Sequence, residues 1–296
     1  MTEDPNDTRL RRFEGRRALV TGASRGIGAG IAERLAAEGA DVALVARTRS
    51  EHAVLEGSLE ETAARCEAHG ARSVVIVADI TRTDDRERLV GEAVEGLGGS
   101  IDVLVNNAAA AIYQPMADYP LTRRHLTFEA NVHAPLDLAQ AVLPSMIEAG
   151  EGWILNLSSG TARPWDGPPF EVGSLGTTIA IYGASKAALD RLTNGLGAEL
   201  YGSGVRVNAV QPRAAVLSEG AAKLAGTKLR PEQVESIEQM VEGSVVLACC
   251  DEDITGRSTV SLDNLIEFIA DVGRGLTIEV EENDFAAEVA SMQNAG

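Results

Sequence analysis

The sequence predicts an α/β protein, a doubly wound and mostly parallel sheet in a single main domain with a C-terminal extension. Three observations lead there. Short apolar runs alternate with longer segments of helical periodicity. A glycine-rich turn joins the first apolar run to the first helical segment. No internal repeat, low-complexity tract or linker interrupts the alternation before about residue 262. Strands that are apolar throughout are buried on both faces, as in a parallel sheet covered by its own crossover helices. Right-handed crossovers then wind the sheet both ways and leave ligands at the carboxyl ends of the strands.

Residues 1–14 are polar, end in the stretch Arg9 to Arg12 and show no apolar period, so they read as a mobile arm. The main domain is expected over residues 15–262. Ala18 to Thr21 is a buried strand, and Gly26 to Glu38 a helix with Ile27, Ile31 and Leu35 on one face. Asp41 to Ala46 is the second strand, Glu51 to His69 a helix, Ser73 to Val77 a strand, Asp84 to Gly96 a helix and Ile101 to Val105 a strand. Leu121 to Ala149 is helical, with Pro135 and Pro144 placed to kink or divide it. Trp153 to Leu157 is strand, Ile181 to Tyr201 helix, Val205 to Val210 strand, and Ser258 to Ser261 the final strand. The extension, residues 263–296, continues an apolar helical spacing from Leu262 through Leu265 and Ile266 to Ile269. A strand is expected at Leu276 to Val280, with acidic residues from Glu279 to Asp284 forming a solvated tail. The apolar helical face needs a partner, either the sheet edge or another subunit.

Composition narrows the class. A formal charge of −18 with no basic stripe argues against nucleic acid and anionic membrane surfaces as partners. Cys66 and the adjacent Cys249 and Cys250 make no disulfide framework and read as reduced thiols. His52, His69, His125 and His133 show no metal-ligand spacing with them, so no metal site is expected. The polar start Met1-Thr2-Glu3-Asp4 is no signal peptide, and no apolar run is long enough to span a bilayer. The expected compartment is the cytoplasm.

The stretch Thr21-Gly22-Ala23-Ser24-Arg25-Gly26-Ile27-Gly28 runs from the first strand straight into a helix. Glycines let the backbone turn sharply and approach a pyrophosphate, which the free N–H groups and dipole of a helix N-terminus attract. The position within a strand–turn–helix unit makes a dinucleotide site the better reading than a plain turn. An acidic residue ending the second strand would bind a ribose 2′-hydroxyl. This chain has Ala46-Arg47-Thr48 there, with Arg25 in the glycine loop. Two guanidiniums suit a 2′-phosphate, each charge-assisted hydrogen bond contributing about 1.5–3 kcal/mol. NADP(H) is therefore preferred, with NAD(H) the alternative. Asp79, ending the third strand, either takes an adenine amino group or caps the helix nearby.

Tyr182-Gly183-Ala184-Ser185-Lys186 places a phenol and an ammonium four residues apart on one helical face. The chain holds four tyrosines and three lysines, so composition alone gives about 0.04 such pairs. A nearby cation favours phenolate, and moving a phenol from pH ~10 toward neutrality takes about 4 kcal/mol. Such a group serves as a general acid and base.

In order along the chain, these residues resemble the short-chain dehydrogenase/reductase family from about Gly15 to Leu262. The likeness rests on the glycine loop, Asp79-Ile80, Asn106-Asn107-Ala108-Ala109, Asn131 in the long helix, Ser158-Ser159 after the fifth strand, and Tyr182-x-x-x-Lys186. The resemblance implies a Rossmann-type sheet, hydride transfer between nicotinamide and a carbonyl or alcohol, and a homodimer or homotetramer. It makes Tyr182 the acid/base and Lys186 the residue that lowers its pKa and bonds the nicotinamide ribose. Ser159 then polarises the substrate oxygen, and Asn131 positions a water in the proton relay. Gly22, Ser24, Arg25, Gly26, Ile27, Gly28, Arg47, Asp79, Ile80, Asn107, Ala108 and Pro212 line the cofactor, together with Tyr182 and Lys186.

The chain also departs from that pattern. The gap from Ser159 to Tyr182 is longer than usual by roughly ten residues and includes Arg163-Pro164-Trp165-Asp166-Gly167-Pro168-Pro169-Phe170. Its aromatic rings are either an apolar wall over the substrate or part of a stiff surface loop. The altered spacing also leaves Ser158 a rival to Ser159. Pro212-Arg213 stands where Pro-Gly is usual, and Arg213 is read as pointing outward. Ser218 to Glu242 corresponds to the variable substrate loop and helix. The expected function is an NADP(H)-dependent oxidoreductase for a small to medium, mostly apolar carbonyl or alcohol. The rivals are a non-catalytic nucleotide sensor or scaffold and an NAD-preferring alcohol dehydrogenase.

Overall fold

The computed structural model describes residues 11–50, 57–173, 175–216 and 234–267. Its framework is a seven-stranded sheet in the order β3-β2-β1-β4-β5-β6-β9, parallel throughout. The strands are β1 (Arg17–Thr21), β2 (Asp41–Ala46), β3 (Ser73–Val77), β4 (Val103–Asn106), β5 (Gly152–Leu157), β6 (Val205–Gln211) and β9 (Ser258–Val260). The winding reverses between β1 and β4, and that reversal opens a crevice at the carboxyl ends of the strands. Two short strands, β7 (Ala215–Val216) and β8 (Val234–Glu235), pair with each other after β6.

Alternation along the strands builds two cores. Ala18 and Val20 of β1 face α1 (Gly26–Ala37), α2 (Leu59–Ala68) and α7 (Ile237–Val245). Leu19 faces the other layer, where α3 (Thr83–Leu97) and α5 (Ala134–Ala149) pack. Helix α6 (Ala180–Glu199) follows β5 and carries Tyr182 and Lys186.

Most predicted elements stand within a residue or two of expectation, and the exceptions have local causes. Helix α2 begins at Leu59, not Glu51, because Ser58 and Glu61 form a reciprocal capping box that fixes its start. Residues 51–56 lie outside the described residues. The helix expected over Leu121 to Ala149 is divided into α4 (Leu121–Phe128), a π-helical turn (Glu129–His133) and α5. Pro135 lacks the N–H that an α-helix would give to the carbonyl of residue 131, and the ladder widens just before it. Pro144 sits inside α5 without dividing it.

The part of the expected mobile arm within the described residues is docked. Phe13 is fully buried and Arg12 forms a two-pronged ion pair with Glu38; residues 1–10 lie outside the described residues. At the other end, Ser261–Glu267 is a helix, α8, with Leu262 and Leu265 buried and Asn264 donating to the Gly243 carbonyl at 2.8 Å. The described part of that apolar face, Leu262 and Leu265, lies in a helix that meets α7 of the same chain. Ile269, the strand at Leu276 to Val280, the acidic tail and residues 217–233 of the variable loop fall outside the described residues.

Helices α1 and α7 are joined by a buried charge network. Arg34 reaches Glu242 at 2.5 Å and also pairs with Glu38, which takes Arg12 in turn. Burial pushes the Glu242 carboxyl up and Arg34 pulls it back. Arg34→Met is expected to cost about 3–5 kcal/mol, because it strands a buried carboxylate. The double change Arg34→Met with Glu242→Leu should recover most of that loss in urea unfolding. A single variant as stable as the parent would show that the network contributes nothing.

Candidate active site

The glycine loop is a cradle closed by Asn107. The Asn107 amide donates to the carbonyls of Thr21 (2.9 Å) and Gly22 (3.2 Å), and the Thr21 hydroxyl accepts the N–H groups of Asn107 and Ala108. A Cβ on Gly28 would lie 2.4 Å from the Gly22 carbonyl oxygen, and one on Gly22 would lie 3.0 Å from the Ala108 Cα. Gly22 also adopts φ +68°, a conformation that L side chains rarely tolerate. Helix α1 starts at Arg25 with no side-chain cap and no acidic residue in its first turn, so its positive end is left for an anion. These features fit a dinucleotide pyrophosphate over Gly22, Ser24, Gly26, Ile27 and Gly28.

Arg25 swings away from the loop and donates to the Gly57 carbonyl at 2.8 Å, beyond the end of β2. Arg47 is exposed at the end of that strand. The Asp79 carboxylate is partly occupied, since its Oδ1 accepts from the Thr81 N–H (3.0 Å) and hydroxyl (2.7 Å) in a tight turn. Asp79 does not cap the helix, because α3 starts after Arg82 and carries no side-chain cap. The following residue, Ile80, gives its carbonyl to Arg86. Pro212 and Arg213 follow β6, with Arg213 exposed as expected.

At the end of β5 the two serines differ. The Ser159 hydroxyl pulls the Tyr182 phenol down, whereas the Ser158 hydroxyl is buried with no hydrogen-bond partner among the described residues. Ser159 also accepts from the Thr161 hydroxyl at 3.0 Å, a bond that fixes its rotamer. Backbone packing brings α6 onto this turn. A Cβ on Gly183 would come within 2.3 Å of the Thr161 carbonyl oxygen, so only glycine lets the helix approach so closely.

The Tyr182 and Lys186 pair differs from the sequence expectation. Lys186 is almost fully buried, its Nζ donates to the Leu157 carbonyl at 2.6 Å, and it stands 5.9 Å from the centre of the Tyr182 ring. Burial lowers the lysine to about 8, opposed by Asp190 one turn on. Burial also raises the Tyr182 phenol above its ordinary value, Tyr113 adds to the rise, and Ser159 opposes it. The phenol of the protein by itself is therefore less acidic than a free tyrosine. Desolvation dominates, and the Lys186 ammonium, which gives one N–H to the Leu157 carbonyl, does not offset it.

Asn131 is fully buried in the π-helical turn. Its amide donates to Ser185 (2.9 Å) and to the Ala110 carbonyl (3.1 Å) and accepts the Ala110 N–H (2.8 Å). This ties the loop after β4 to α6. The side chain is therefore consumed by structure and does not itself reach a relay water. That same loop carries a residue the sequence reading missed, Tyr113, whose ring meets Tyr182 edge-on with centroids 5.8 Å apart. Gln114 N–H to the Thr178 carbonyl (2.9 Å) pins the loop there. No periodicity or motif marks Tyr113, so only the fold reveals it. The rings of the insertion do not take that place. Phe170 is 62% exposed and folds over Gly167, and Trp165 is half-buried.

A sheet whose winding reverses at a glycine-lined crevice, with a phenol and a serine hydroxyl held together beside it, belongs to the Rossmann-type oxidoreductases. The particular family follows from comparison with known proteins. Residues 16–229 match the family model described as short chain dehydrogenase, and the chain is a member of that family. Over 198 residues it is 36% identical to the ketoacyl reductase HetN of Nostoc sp., covering 67% of this chain and 63% of that protein. Over 233 residues it is 34% identical to a short chain dehydrogenase of Pseudocercospora fijiensis, covering 78% and 70%. The chain thus spans less than two thirds of the length of the Nostoc relative. Among solved structures, a short chain dehydrogenase of Mycobacterium thermoresistibile superposes with TM-score 0.73 at 29% identity, over 86% of this chain and 88% of that one. A metagenomic short-chain oxidoreductase in complex with NADP gives 0.67 at 26% identity, over 83% and 96%.

Proposed function

We propose that the protein uses NADP(H) to interconvert a carbonyl and an alcohol on a small to medium, mostly apolar substrate. The observation that carries this reading is the close packing of α6, with Tyr182 and Lys186 one turn apart, on the turn after β5 that carries Ser159. Bound in the crevice, nicotinamide supplies or accepts the hydride. Tyr182 gives its proton to the carbonyl oxygen in reduction and recovers it in oxidation. Burial keeps the phenol protonated at neutral pH, which is the form that reduction needs. Ser159 donates to the same oxygen and stabilises the charge gathering there.

Lys186 is assigned to the nicotinamide ribose and to electrostatic support of the phenolate. For Asn131, the relevant atom is its main-chain carbonyl, which Pro135 deprives of an α-helical N–H; we assign it to the relay water. Asp79 and Ile80 border the adenine, while Asn107, Ala108 and Pro212 line the remaining length of the cofactor. A homodimer or homotetramer fits the family resemblance, and the cytoplasm is the compartment we assign. Among the described residues no helix is long and apolar enough to cross a membrane.

NADPH oxidation across a panel of aldehydes, ketones and quinones tests the reading. Turnover of at least one class is expected; tight NADPH binding with turnover of none would instead make the protein a nucleotide sensor. Cofactor choice is tested separately. Arg47→Ala should weaken NADPH binding about tenfold or more and leave NADH unchanged, since a lost charge-assisted bond is worth about 1.5–3 kcal/mol. Equal effects on both nucleotides would remove Arg47 from the 2′-phosphate.

A further inference from the structure

The geometry points to Glu235 as a positioning residue for the nicotinamide half of the cofactor site, an inference that rests on the function proposed above. Glu235 lies on β8, far in sequence from every motif considered so far, and is only 2% exposed. Its Oε2 accepts two consecutive main-chain N–H groups, Arg213 at 2.6 Å and Ala214 at 3.3 Å. Its Oε1 accepts the Ser261 hydroxyl at the start of α8. A carboxylate this deeply buried needs several donors, and these come from two separate pieces of chain.

The two N–H groups belong to the segment that leaves β6 directly after Pro212. Strand β6 lies beside β5, whose end carries Ser159, so this segment borders the same side of the crevice as the Ser159–Tyr182 pair. The pairing of Ala215 with Val234 and of Val216 with Glu235 holds the segment from a second direction. Successive N–H groups turned onto one anion fix the peptide planes on both sides of Arg213. Their carbonyls and the Pro212 ring are thereby held in one orientation toward the crevice. Glutamine in this place keeps the shape but not the chemistry. Its amide oxygen meets the two N–H groups only as a neutral acceptor while its NH₂ turns to the Ser261 oxygen, so the charge-assisted bonds that hold the segment are lost.

The test is binding, measured by tryptophan fluorescence and calorimetry on the full chain, with NADPH compared against 2′,5′-ADP, which carries only the adenosine half. Glu235→Gln is expected to raise the NADPH dissociation constant about tenfold and to leave that of 2′,5′-ADP within about twofold. Ser261→Ala, which removes one donor and keeps the carboxylate, should shift NADPH alone by a smaller factor and covers the case in which Glu235→Gln does not fold. Equal weakening of both nucleotides in the variant that folds would overturn the inference in favour of general loosening. A lowered melting temperature with both constants unchanged would overturn it in favour of a purely structural staple. Wild-type protein that binds neither nucleotide would instead refute the proposed function itself, and the wild-type titration shows which of the two has failed.

Discussion

Tyr182→Phe should lower the rate of carbonyl reduction about 10²–10⁴-fold while the NADPH dissociation constant stays within about twofold of the parent. The change removes one oxygen and keeps the ring. The edge-on contact with Tyr113 survives, as does the packing of α6 against the Thr161 turn through Gly183. What disappears is the proton donor and the partner of Ser159. Single-turnover reduction with saturating NADPH isolates the chemical step from product release. Tyr113→Phe, which also removes one hydroxyl from the same aromatic pair, should leave that step nearly intact. Reduction at parental speed by Tyr182→Phe would mean that the proton comes from another group, and the redox assignment of this site would have to go.

Lys186→Met should abolish turnover and yet stabilise the fold. The buried ammonium titrates near about 8 instead of its ordinary 10.5. Between those values the unfolded chain holds the proton and the folded chain does not, so stability from this group rises with pH across that window. Below about pH 8 the whole penalty is present, about 3 kcal/mol from the size of the shift. Methionine removes the penalty and forfeits the hydrogen bond to the Leu157 carbonyl, which offsets about 1 kcal/mol. A net gain of about 2 kcal/mol corresponds to a melting temperature higher by roughly 3 °C at pH 7. The gap between variant and parent should narrow as the pH is raised from 8 toward 10.5. A variant that melts lower than the parent, by an amount independent of pH, would show that Lys186 is not a strained cation. Stability given up at this position is consistent with a group kept for its chemistry.

The parts of the protein governed by near neighbours in the sequence were legible in advance. Strands such as Asp41–Ala46 and Ser73–Val77 matched expectation because an unbroken apolar run bounded by polar residues has few other stable uses in a covered sheet. The glycine loop was readable because its conformation depends on residues with no Cβ, at positions where one would strike Gly22 or Asn107. Where a local signal was overlooked, as with the Ser58–Glu61 capping box, the helix start was misplaced although the residues that set it were present.

Sequence alone therefore determined the fold class, the order of the elements and the tight glycine loop between β1 and α1, because each follows from periodicity and backbone freedom over a few residues. Only the tertiary structure decided that the Ser159 hydroxyl acts on the Tyr182 phenol, that Tyr113 adjoins its ring, and that Glu235 grips the segment after β6. It also reversed the expected direction of the Tyr182 shift. These outcomes hinge on desolvation and on contacts between residues far apart in the chain, and neither leaves a trace in local spacing.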